Sequence, residues 1–174
     1  MSKFDEICLA YREARKEFRL YEETCRDFAR ELVYGMVEYF EWPQSQEITY
    51  IPLGEEINAN NRFYALGGAM RMDDESFWYF GVELTAHEPG GSYPVTFLLS
   101  FFIKKTGPHF VVKMGPKGRE IKIHEDRQGE LAPFFDAVQQ QIMQFFRKNY
   151  VHAITKQEAE PGFVNLSPKS LEIK

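Results

Sequence analysis

The chain reads as an α+β domain in which a long N-terminal helix precedes a six-stranded antiparallel β-meander and a C-terminal helix packs on the sheet. Three patterns predict it: apolar residues at steps of three and four from Phe4 to Phe40, strict alternation from Val95 to Lys105 between Gly/Pro turns, and a second helical pattern from about Leu131 to His152. Residues 1–152 are expected to form one domain and residues 153–174 a C-terminal tail.

From Phe4 to about Phe40 no proline interrupts the helical pattern. Ser2 or Lys3 precedes it, Asp5 and Glu6 sit near its positive end, and Trp42-Pro43 stops it. A helix of some 37 residues would be about 55 Å long, whereas six strands at about 4.8 Å spacing make a sheet roughly 29 Å wide. The helix therefore either breaks near Tyr21 to Thr24 or at Gly35, or carries its first half onto something else, most simply a second copy of the chain.

Glu47 to Leu53 reads as an edge strand, with Pro52 in keeping with that position. The polar loop Gly54 to Asn61 offers oxygen ligands to a cation, but such loops are ordinarily just solvated.

The most apolar strand, Val95 to Lys105, fixes the register of its neighbours. A four-residue turn at Pro89 to Ser92 sets Trp78 opposite Ile103, Phe80 opposite Phe101, Val82 opposite Leu99 and Leu84 opposite Phe97, which makes one face continuously apolar. A slip of one residue would send that whole set to the other face. Pairing Lys105 with Pro108 places Phe110 beside Ile103 and Val112 beside Phe101, and the turn Gly115 to Gly118 brings Ile121 to Val112 and Ile123 to Phe110. Upstream, the turn Asp73 to Ser76 links Phe77 to Met72 and lays Ala69, Gly67, Ala65 and Phe63 along the core face.

In the C-terminal helix, Leu131, Phe134, Phe135, Val138, Ile142, Phe145, Phe146 and Tyr150 form the apolar side, and Pro133 suits a first helical turn.

The same register defines a second sheet face, where Met70, Met72, Phe77, Tyr79, Phe102 and Val111 gather at one end and Tyr64, Glu83, Thr85, Thr96 and Ser100 at the other. An apolar patch of this kind needs a cover. The first helix or the tail would supply one; the alternatives are a dimer or protein partner, or a small apolar ligand, bound through Met70, Met72, Phe77, Tyr79 and Phe102.

Candidates for chemistry are few. His109 and His124 fall opposite each other with Lys104 facing His109, a weak metal candidate because a third protein ligand is missing and the lysine repels a cation. His87-Glu88 lies on a hairpin tip, which rarely supplies the desolvation a catalytic pair needs. Arg71 is expected to stack on Trp78, and Asp73-Asp74-Glu75 reads as turn chemistry. No dinucleotide-binding, phosphate-loop, zinc-protease or nucleophile-elbow signature occurs, so no cofactor is expected and a non-catalytic role is favoured over an enzymatic one.

The formal charge of −5, with Lys and Arg spread among acids, argues against nucleic acid and against an anionic membrane surface. The sequence shows no signal-like stretch and no membrane-length apolar run, so a cytoplasmic location is expected. Cys8 and Cys25, about 25 Å apart along a continuous helix, cannot form an intrahelical disulfide. The resulting expectation is a non-catalytic cytoplasmic protein-interaction module, homodimeric; the alternative is an apolar-ligand-binding protein or enzyme with a pocket between sheet and helix.

Overall fold

The computed structural model describes residues 1–43, 48–54, 64–87, 90, 94–126, 130–152 and 163–164, with side chains as far as Lys148. It contains helix α1 (Lys3–Tyr39), strand β1 (Thr49–Ile51), the short helix α2 (Leu66–Ala69), β2 (Arg71–Met72), β3 (Trp78–His87), β4 (Pro94–Thr106), β5 (His109–Met114), β6 (Ile121–His124), helix α3 (Leu131–His152) and the two-residue strand β7 (Phe163–Val164). A long N-terminal helix, a six-stranded antiparallel sheet and a C-terminal helix make this an α+β fold, with β7 added to the side of β4. All but Gly54 of the predicted loop Gly54 to Asn61, the residues Phe63 and Glu88, and most of the tail lie outside the described residues.

Helix α1 is continuous over its 37 residues, so of the two alternatives the break near Tyr21 to Thr24 or at Gly35 does not occur. Its start is fixed by a capping box: the Ser2 hydroxyl accepts from the Asp5 backbone N–H and the Asp5 carboxylate accepts from that of Ser2. That carboxylate is held below its usual pKa first by its backbone hydrogen bond from Ser2 and then by the one from the Ser2 hydroxyl. At the other end Glu41 adopts φ 51°, the Trp42 N–H returns to the Val37 carbonyl, and Pro43 follows. All the fully buried side chains of α1 lie in its second half, between Cys25 and Met36.

The sheet runs β1-β3-β4-β5-β6, every pair antiparallel. The β3–β4 register is the predicted one from Trp78↔Ile103 to Leu84↔Phe97, and β5–β6 pairs Val112 with Ile121 and Phe110 with Ile123 as expected. Between β4 and β5 the pairing is displaced by two residues, with Phe110 opposite Lys105 and Val112 opposite Ile103. The loop there is Gly107-Pro108 with Gly107 at φ 57°, a conformation that costs glycine nothing and that suits the first loop position of a primed hairpin turn. A displacement of two preserves which side each residue faces, so the core face survives.

On the other flank the prediction is off by one. Met72 pairs with Trp78 and Arg71 with Tyr79, because Asp73 makes a wider turn: its carboxylate accepts from the backbone N–H of Glu75 and of Phe77, its own N–H reaches the Phe77 carbonyl, and Ser76 takes φ 66°. Upstream of Met70 the chain leaves the sheet as α2, and the edge of β3 at Gly81 to Glu83 is taken instead by β1. The strand expected through Ala65, Gly67 and Ala69 is thus replaced by one helical turn that packs on α1 near Arg26.

Both long helices cover the same face of the sheet. Phe28 of α1 stacks on Phe110 of β5 with ring centroids 3.9 Å apart, while Phe134, Phe135, Val138 and Ile142 of α3 complete the core. The helices meet where Gly35 leaves room for the Phe135 ring and where the Tyr39 hydroxyl donates to Asp136 at 2.7 Å. The side of α3 turned away from the core, including Gln139, Gln140 and Arg147, is exposed.

Two phenols are titration probes of this packing. Burial pushes Tyr21 up to about 12, with the Cys25 thiol adding to it, and burial likewise pushes Tyr50 up to about 12, Tyr34 adding and Arg30 opposing. An unfolded tyrosine titrates near 10, so the folded state holds protons that the unfolded state has already lost. Their contribution is fully present below about pH 10 and is lost as pH rises towards 12. Denaturant midpoints measured from pH 9 to 12 are expected to fall over that window, and less steeply in Tyr50→Phe; equal slopes would contradict the burial of Tyr50.

Candidate interaction surfaces

The second face of the sheet is built from the residues of β3, β4 and β5 that point away from the helices. Phe77, Phe102 and Val111 form a small buried cluster there with Tyr79 against it, and Tyr79 stacks on Phe102 at 5.4 Å. Two of the five predicted binding residues are elsewhere. Met70 enters the main core with Leu66 and Ala69, because α2 turns the chain inward just before it. Met72 faces the same way as Trp78, a consequence of the one-residue difference in the β2–β3 register, and is 41% exposed. Tyr64 also leaves this face, bridging Tyr50 and packing against the main core.

Helix α1 does not cover this face, contrary to one of the expected arrangements, since its apolar residues are needed on the opposite side. The cover among the described residues is of a kind that apolar patterning misses. Lys113 is only 6% exposed; its ammonium lies 4.2 Å from the Phe77 ring centroid and 5.4 Å from that of Phe102, with Glu75 at 3.9 Å. Lys104 lies 5.4 Å over Phe77 and donates to the Glu75 carbonyl at 2.7 Å. Lysine stems thus roof the aromatics while their heads find partners. Their place on the same strand faces as Phe102 and Val111 was the available signal.

The rest of the face is closed by backbone economy at Gly81. A Cβ there would stand 2.9 Å from Leu98 Cδ1 and 3.0 Å from both the Ile51 carbonyl and Leu53 Cδ2, so the missing side chain is what lets Leu53 and Leu98 fold over the sheet. Two open clefts lie on it among the described residues. One, about 530 Å³, is walled by Ile51, Leu53, Tyr79, Leu98, Phe102 and Pro116; the other, about 580 Å³, is polar, with Asp74, Glu75, Lys104 and Glu120 around Phe77.

The histidine pair is where the register puts it, His109 opposite His124, the rings edge-on with centroids 5.1 Å apart. Lys104 does not face it: the displaced β4–β5 register gives His109 Thr106 as its neighbour and Lys104 pairs with Val111. The His124 Nδ1 is engaged by Asp126 at 3.2 Å, its backbone N–H donates to the Glu130 carboxylate, and Lys105 binds Glu125 at 2.8 Å. That hydrogen bond, and then the lysine's charge, lower the pKa of the Glu125 carboxyl. Among the described residues no three His, Cys, Asp or Glu side chains converge as a metal site. The one-residue register difference turns Arg71 to the face of Tyr79, its partner across the strands, and away from that of Trp78, and its guanidinium donates to the carbonyls of Gly68 and Met70.

The other candidate surface is the first half of α1. Phe4, Ile7 and Tyr11 are 72%, 67% and 65% exposed, and Phe18 touches only the rim of the core, 6.1 Å from the Trp78 ring. Near that contact the Tyr21 hydroxyl donates to the Ser76 carbonyl, and Trp78 Nε1 is buried with no hydrogen-bond partner. No helix among the described residues is long and apolar enough to cross a membrane. The chain matches no known protein family, no curated protein and no solved structure.

Proposed function

We propose that this chain is a non-catalytic, cytoplasmic protein-interaction module that assembles as a homodimer through the first half of α1. The supporting observation is the run of exposed Phe4, Ile7, Tyr11 and Phe18 on a capped, continuous helix that extends past its own core. Isolated exposed apolar residues need no explanation, but several aligned on one projecting helix form a surface that water disfavours. The second face supports this choice by contrast, since lysine stems and Leu53 already cover much of it.

Light scattering on the purified chain is expected to give twice the mass of one chain; a strict monomer at tens of micromolar would sink the proposal. Ile7→Glu is expected to weaken association by roughly a hundredfold or more, because symmetry places two charges in the interface. The core should melt unchanged at concentrations where both proteins are monomeric, since Ile7 is exposed in the single chain.

A second reading, binding of a small apolar molecule, is favoured by the cavity beside Tyr79 and Phe102. It sits on the face opposite the helices, not between sheet and helix. Native mass spectrometry showing a retained ligand, displaced in a Tyr79→Ala variant, would support that reading; a bare protein would count against it.

A further inference from the structure

The apolar seam of α1 has a definite period. From Phe4 it advances by alternating steps of three and four through Ile7, Tyr11, Ala14, Phe18 and Tyr21, and arrives without a slip at Cys25 and Phe28, which are fully buried. That is a heptad spacing, and on a straight helix it drifts by about 20° per heptad, so only a helix wound against it stays in contact along its length. The part that runs clear of the core, Lys3 to Leu20, is about 27 Å long, roughly two and a half heptads, and the partly buried Tyr21 closes its end.

We propose, on the basis of the self-association inferred above, that this segment pairs antiparallel with the same segment of a second copy, centred between Arg12 and Glu13, so that Tyr11 packs on Ala14 of the second copy. Antiparallel pairing then puts Phe4 on Tyr21 and Ile7 on Phe18, and each small Ala14 receives a large Tyr11. The parallel alternative stacks Tyr11 on Tyr11 and leaves Ala14 facing Ala14 across a void. Flanking positions decide the same way. In the antiparallel pair Cys8 lies beside Arg15, Ala10 beside Glu17 and Lys3 beside Thr24, with no like charges opposed. The parallel pair would oppose Glu17 to Glu22 twice.

The antiparallel arrangement also accounts for the rim of the sheet. It brings the first turn of the second copy beside Tyr21, whose hydroxyl is tied to Ser76, and so over exposed Met72 and the edge of Trp78.

The test keeps the seam intact. Protein carrying only its native Cys8 as an exposed thiol is mixed with the double variant Cys8→Ser, Arg15→Cys; Cys25 is buried in both. After treatment with a short bismaleimide that spans about 8 Å between thiols, a linked dimer is expected from the mixture and not from either protein alone, because flanking residues level with each other lie roughly 9 Å apart and those one heptad out of step roughly 14 Å. Linkage of either protein to itself as readily as to the other would overturn the antiparallel orientation. A dimer by light scattering with no linkage in the mixture would overturn the register while leaving self-association standing. A monomer in both measurements would remove the register and the proposed function together.

Discussion

Gly118→Ala is expected to cost about 3 kcal/mol or more of folding stability, the sort of loss reserved for a substitution with no room to relax. A Cβ at this position would overlap the Met114 carbonyl oxygen and stand 2.8 Å from its carbon, both backbone atoms that no rotamer change can move aside. The turn it belongs to is fixed at both ends: the Gly115 N–H donates to Ser100 across the sheet and the Gly118 N–H donates back to Gly115. Opening it displaces β6, and with it Ile123, which is fully buried beside Phe110. For a chain of this size that loss corresponds to a melting temperature lowered by about 6–12 °C. Gly68→Ala supplies the control, because the nearest atom to its added methyl is 3.9 Å away, and it should change stability by no more than about 0.5 kcal/mol. If thermal and denaturant melts of the two variants coincide, the turn does not have the geometry described.

Phe28→Ala should be of similar severity for a different reason. The ring is fully buried and lies nearly parallel to that of Phe110, 5° between planes, where α1 crosses the sheet. Deleting it removes the apolar burial of a whole phenyl group and leaves a cavity among side chains held by two helices and a sheet, a loss of about 3–5 kcal/mol. Phe28→Leu refills most of the volume and is expected to cost well under half of that. Phe4→Ala deletes the same ring from the same helix where it is exposed, so its effect should appear in the association equilibrium and not in the melting of the monomer. Denaturant unfolding of the three variants at one low protein concentration separates these outcomes; a Phe28→Ala loss below about 1 kcal/mol would contradict the stacked core.

The architecture could be read from the sequence where local turns and a long period agreed. α3 runs from Leu131 to His152 as its pattern indicated, and the β3–β4 and β5–β6 pairings follow from their turns and from the alternation of Trp78, Phe80, Val82 and Leu84. The β4–β5 displacement shows the limit of that method: two registers differing by two residues bury the same side chains, and only the positive φ of Gly107 separates them. The Asp73 turn is harder to read, because backbone hydrogen bonds donated to its carboxylate absorb one more residue than the spacing suggests, which moves Met72 to the face of Trp78. That β1 and not the Ala65–Ala69 stretch takes the edge of β3 is a contact between distant segments, which no local pattern encodes. The surfaces were read unevenly. Phe77, Tyr79 and Phe102 do share a face, but the sequence reading places neither roofing lysine there, although a lysine contributes four methylenes before its charge.

The position of α1 at the head of the fold bears on how the nascent chain behaves. The helix leaves the ribosome before any of the strands it rests on, and Gly35 and Tyr39 meet Phe135 and Asp136 only after the last hairpin has been made. During synthesis both halves of its apolar stripe are therefore equally bare, and neither carries a mark of its later fate. The hairpins that follow, each local in sequence and quick to close, are what divide the stripe into a part sealed inside the molecule and a part that stays in water.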